Sequence, residues 1–123
     1  MATIKSYTDI SQSKKLTEIL PLESADMEYL AIKENGALVG NVPFVKDDSE
    51  VDDSAYNQIY DRIACWSLSA LISVLPKIHK LKPILDLEEN SIQYSGIDLY
   101  VVADNPVDAC YAMIIKLNEQ NLL

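Results

Sequence analysis

The stretch Ile97-Asp98-Leu99-Tyr100-Val101-Val102-Ala103-Asp104-Asn105-Pro106-Val107-Asp108-Ala109-Cys110, continuing to Leu117, decides how this chain folds. Residues 97, 99, 101 and 103 place Ile, Leu, Val and Ala on one side of an extended segment, the period-two pattern of a half-buried strand. Asn105 stands where an N-cap side chain accepts from the first-turn amides. Pro106 follows at the first helical position, where its missing N–H costs nothing, and Asp108 faces the positive end of the helix dipole. Val107, Cys110, Tyr111, Ile114 and Leu117 then share one apolar arc at helical spacing. The stretch predicts a strand running into a capped amphipathic helix, a folding unit rather than a catalytic one.

Upstream, Thr8 or Asp9 caps a first helix over about 9–20, which Pro21 stops. Met27 to Lys33 reads as a strand, and Asn35-Gly36 signals a hairpin whose return arm is Ala37 to Asn41. Tyr56, Ile59, Tyr60 and Ile63 recur at helical spacing, so a short helix is expected near 55–62. A firmer one follows at 67–75, capped by Ser67, stapled by Trp66 against Leu71 and ended by Pro76. One continuous helix from 54 to 75 is the alternative. Ile84–Glu88, Ser91–Ser95 and Ile97–Ala103 complete the strands, with turns at Glu89-Asn90 and Ser95-Gly96. Short connections between consecutive strands favour antiparallel pairing. The expectation is one α+β domain over residues 1–123, a mostly antiparallel sheet of about four to five strands with about three helices on one face.

Composition narrows the function classes. A chain of 123 residues with 49% hydrophobic content suits one folded domain. The start has no apolar signal-peptide core, and no apolar run approaches the ~20 residues that span a bilayer. Cys65 and Cys110 sit in apolar surroundings without a C-x-x-C pattern, so they read as reduced core residues of a cytosolic protein. Nineteen acidic against ten basic residues give a net charge of −9, which repels phosphate and argues against direct binding of nucleic acid or anionic membrane. From Pro83 to Ile115 there are carboxylates at 86, 88, 89, 98, 104 and 108, and no Lys or Arg.

Few constellations could carry chemistry. The acidic run from Asp47 to Asp53 fails as an EF-hand, because Asp53 replaces the turn glycine and Ile59 the bidentate Glu; a solvated loop is expected. Asp86, Glu88, Glu89, Asp98 and Asp104 could pair as acid and base, but the solvent face of a sheet explains them more simply. His79, the single histidine, lies with Lys77, Lys80 and Lys82 where they would balance a helix C-terminus. Three glycines cannot build a phosphate loop. No cofactor or metal is expected. Seven tyrosines and one tryptophan are the better clue, since amphipathic aromatics are enriched at protein contacts. Trp66, Tyr56, Tyr60 and Tyr100 are the candidate interaction surface.

Three blocks carry a resemblance: Tyr7-Thr8-Asp9 through Ile19-Leu20-Pro21-Leu22-Glu23-Ser24-Ala25-Asp26-Met27; Trp66-Ser67-Leu68 with Leu75-Pro76; and Asp104-Asn105-Pro106-Val107-Asp108-Ala109-Cys110 to Leu123. Together they resemble a family of small uncharacterised proteins from gut bacteria and their prophages or mobile elements. The resemblance spans roughly half the chain and implies no activity, so it transfers no functional residue. The expected function is a non-catalytic cytosolic protein-interaction module, self-association included, linked to a mobile element. One alternative is an acidic nucleic-acid mimic that occupies a basic enzyme. Another is a small enzyme using the strand carboxylates.

Overall fold

The computed structural model describes residues 5–40, 42–46 and 59–123. The acidic run Asp47–Asp53, Tyr56 and the first half of the helix expected at 55–62 lie outside the described residues. Contacts divide the chain into two compact units, Asp9–Trp66 and Met1–Thr8 with Ser67–Leu123, and each is described by itself.

In the Asp9–Trp66 unit, helix α1 (Ile10–Thr17) begins with a reciprocal cap. The Asp9 carboxylate accepts from Gln12 N at 2.8 Å, and Gln12 Oε1 accepts from Asp9 N at 3.1 Å. The helix stops at Thr17, short of the expected Leu20. Strands β1 (Met27–Ile32), β2 (Phe44–Val45) and β3 (Tyr60–Cys65) form an antiparallel sheet in the order β2-β1-β3.

Two expectations need correction here. Residues 60–65 are strand, not helix: Tyr60 to Cys65 pair with Ile32 to Met27 along the full length of β1. Ladder hydrogen bonds to a neighbour outweigh a weak local helical periodicity, and the single continuous helix from 54 to 75 goes with it. The hairpin after β1 is also wider than a two-residue Asn-Gly turn. Ile32 N donates to Ala37 O at 2.8 Å across Lys33–Gly36, with only Gly36 at positive φ (+72°). The return arm touches β1 at Leu38, bends at Gly40 (φ +74°), and pairs again only at Phe44–Val45.

In the second unit, Ser67 caps helix α2 (Leu68–Val74) by accepting from Ala70 N at 3.2 Å. Lys82 Nζ, rather than His79, satisfies the far end, donating to Leu75 O at 2.7 Å. His79 and Lys80 instead form the tip of a two-residue hairpin in which Ile78 and Leu81 exchange both backbone hydrogen bonds, at 2.9 and 3.1 Å. Both tip residues have positive φ, 53° and 67°. That is the conformation of a type I′ turn, built without the Asn-Gly that suits it.

Strands β4 (Ile84–Asp86), β5 (Ser91–Tyr94) and β6 (Leu99–Val102) form a second antiparallel meander, order β4-β5-β6. The parity read from the sequence holds. Leu99 is buried and Val101 half-buried, while Tyr100 and Val102 face out. Helix α3 (Pro106–Glu119) packs on β5, β6 and α2 through Val107, Ala109, Cys110, Met113, Ile114 and Leu117, all fully buried. Tyr111 is only half-buried, and Met113 takes the place in the apolar arc that the sequence reading gave it. At the N-cap, Asn105 Oδ1 accepts from Asp108 N at 2.8 Å and its Nδ2 donates to Asp108 Oδ2 at 2.9 Å. Asp108 also pairs with Lys5 at 2.8 Å.

The fold is α+β, as expected, with antiparallel strands throughout the described residues. The single sheet of four to five strands is corrected to two sheets of three. Each sheet is built from its own pairings among the described residues.

Two stability outcomes follow from these local devices. Asn105→Ala should lower the unfolding free energy by about 1–2 kcal/mol, read as a lower urea midpoint at unchanged slope. The double change His79→Asn, Lys80→Gly should raise it by about 1–2 kcal/mol in the same titration, because it relieves two left-handed backbone positions.

Candidate functional site

Three of the four aromatic residues that the sequence groups as a surface fall among the described residues. Trp66 is fully buried, and its indole Nε1 donates to Ser24 Oγ at 2.9 Å. A lone large aromatic with a satisfied polar edge is a core residue, so Trp66 is withdrawn from the surface. Tyr56 lies outside the described residues. Tyr60 is half-buried at the start of β3, in a different sheet from Tyr100. Among the described ones, only Tyr100, 48% exposed in β6, stands on an open face.

That face is the outer side of the β4-β5-β6 sheet. Directly paired residues of an antiparallel sheet point the same way, so the register puts Ile84, Gln93 and Tyr100 in one row and Asp86, Ser91 and Val102 in the next. Ile84 is 52% exposed and Val102 56%. Ser91 on the central strand is short, and the residues paired with it on the edge strands, Asp86 and Val102, are longer. The result is a concavity of about 490 Å³ lined by Ile84, Asp86, Glu89, Ser91, Gln93 and Tyr100. The opposite side, with Leu85, Ile92, Tyr94, Leu99 and Val101, faces the interior. Sequence reading found these strands but did not assign the face to Ser91, Gln93 and Ile84. The signal was present in the alternation of Ser91 and Gln93 with Ile92 and Tyr94.

Of the five candidate carboxylates, the structure brings Asp86 and Glu89 to this concavity. Asp86 Oδ1 accepts from Glu88 N at 2.9 Å and Glu89 N at 3.1 Å, so the side chain shapes the β4–β5 turn as well as lining the groove. Asp98 and Asp104 are exposed beyond the two ends of β6. Among the described residues, no group of three or more His, Cys, Asp or Glu side chains converges as a metal ion would need. Nor is any helix of the described residues long and apolar enough to cross a membrane.

In the Asp9–Trp66 unit, shallow depressions of about 180 and 290 Å³ share Leu22, Arg62 and Ala64. Two of the cations there are already engaged: Arg62 pairs with Glu28 at 3.5 Å, and Lys46 Nζ donates to Leu22 O at 3.1 Å. This is a weaker candidate than the groove over β5.

Both cysteines are free thiols and buried. Burial pushes the Cys110 thiol up to about 11. Burial, and then the neighbouring Cys110, raise the Tyr94 phenol to about 12, and its hydroxyl donates to Pro76 O at 2.7 Å. Neither group is poised as a nucleophile near neutral pH. With this geometry established, comparison with models of protein families, with curated proteins and with solved structures gave no match.

The raised values fix a pH window. Both groups are held protonated in the fold above their ordinary values of 9.0 and 10.0. The unfolded chain therefore releases these protons first, and stability declines as pH rises. Urea midpoints should be insensitive to these groups below pH 9 and should fall from pH 9 to 12. Cys110→Ala should flatten the lower part of that fall.

Proposed function

We propose that this chain is a non-catalytic, cytosolic protein-interaction module whose contact surface is the outer face of the β4-β5-β6 sheet. The observation that carries the reading is the row and column of large side chains left open there. Ile84, Tyr100 and Val102, each about half exposed, surround the amide of Gln93. A sheet face that serves only as a protein's outside is usually polar along one parity; here that parity mixes apolar, aromatic and acidic groups. Aromatic side chains flanked by polar ones are also the usual composition of contact surfaces.

A photo-crosslinking amino acid at position 100 tests this directly in cells. Discrete adducts should form at 100 and disappear with Val102→Glu, and the same group at exposed Glu18, the C-cap of α1, should give none of them. An identical adduct pattern from both positions, or none from position 100, would overturn the reading. An adduct of twice the chain's mass would identify the partner as another copy.

A further inference from the structure

From Ser67 to Leu85 the sequence holds Lys77, His79, Lys80 and Lys82 and no Asp or Glu, inside a chain of net charge −9. Lys77, His79 and Lys80 are exposed, and among the described residues none of them enters an ion pair. The hairpin that carries them is braced at its base and unfavourable at its tip. At the base, Leu75 O accepts from Lys82 Nζ and Pro76 O accepts from the Tyr94 hydroxyl of β5, both at 2.7 Å. Pro76 and Pro83 fix φ on either side. At the tip, His79 and Lys80 stand at φ of 53° and 67°, where Asn-Gly would sit more easily. Strained positions held by cationic side chains on a braced base point to a use for those side chains rather than for the turn.

We propose that this hairpin is a docking finger for a short acidic segment of a partner protein, whose carboxylates meet Lys77, His79 and Lys80. The finger is a second contact surface, separate in its residues from the sheet face. Leu81, 52% exposed, pairs with Ile78 and shares its side of the hairpin, so an apolar residue among the acids gains a contact there. The rest of the chain selects a short segment over a long polyanion. Outside residues 67–85 the chain is more negative still than its total of −9. A nucleic-acid strand or an anionic membrane reaching the finger would also run against that remainder, whereas a short segment need meet only the tip. The braced base lowers the ordering cost of the contact, because the tip is already held in one shape.

The test uses the full chain, ¹⁵N-labelled, titrated with a blocked peptide of glutamates around a central leucine. Its glutamine counterpart and oligothymidylate are titrated separately. Backbone amides of Ile78, His79, Lys80 and Leu81 should shift and saturate with the glutamate peptide. The glutamine peptide should bind roughly five-fold or more weakly, and added salt should weaken the glutamate peptide alone. Lys77→Gln, away from the left-handed pair, should weaken binding about two-fold. The double change His79→Asn, Lys80→Gly should weaken it about two- to five-fold while its urea midpoint rises, so the loss cannot come from unfolding.

No saturable shift at the tip would overturn the proposal, as would equal binding of the two peptides. So would equal shifts around exposed Lys14 on α1, or a double variant that is more stable and binds unchanged. Tighter binding of oligothymidylate at the tip would replace the acidic segment with nucleic acid and overturn it as well. Crosslinking at position 100 is read independently, so either contact can fail while the other stands.

Discussion

The C-terminal unit depends on α3 lying against β5 and β6. Strands of three and four residues cannot hold a sheet together alone, since so few ladder hydrogen bonds do not offset the conformational entropy lost. The helix supplies what the strands lack, a continuous apolar face from Val107 to Leu117 with no exposed member among its six buried residues. Its placement is set by a short connection that is itself tied down. Ala103 N donates to Asn90 O, Asn90 Nδ2 donates to Asp104 O, and Asn105 closes the first turn. The β4–β5 turn, the end of β6 and the start of α3 therefore form one hydrogen-bonded corner.

Fixing the inner face also fixes the outer one. Side chains alternate along a strand, so burying Ile92 and Tyr94 sends Ser91 and Gln93 outward with no further choice. The same parity sends out Tyr100 and Val102 opposite Leu99 and Val101. Ser91 on the middle strand, short between Asp86 and Val102 on the edges, makes a trough. The groove is thus a consequence of how the core is packed, and its chemistry is set by which residues occupy positions the core does not constrain.

What the sequence disclosed follows the same division. The parity of 97–103, the caps at Asp9, Ser67 and Asn105, and the helix after Pro106 were legible because each is decided within a few residues. The strand at 60–65 was not, because its residues satisfy a weak helical spacing and are held extended only by β1, about thirty residues away in sequence. The division into two sheets depends likewise on non-local pairing. For the site, Tyr100 could be read as exposed from strand parity alone. Trp66 could not be read as core, since amphipathic aromatics suit an interior and a contact equally until a partner such as Ser24 Oγ appears. Asp86 and Glu89 became neighbours of Tyr100 only through the register of three strands.

Register and charge together also bear on whether two copies could meet through this face. A second copy docking face to face would bring Asp86 and Glu89 of each chain toward those of the other, beneath two molecules of net charge −9. Like charges set opposite one another across a contact oppose it, and desolvating them raises the penalty. In the free chain the same carboxylates are inexpensive, because water solvates them and Asp86 is steadied by two turn amides. The arrangement thus opposes a face-to-face contact between two copies.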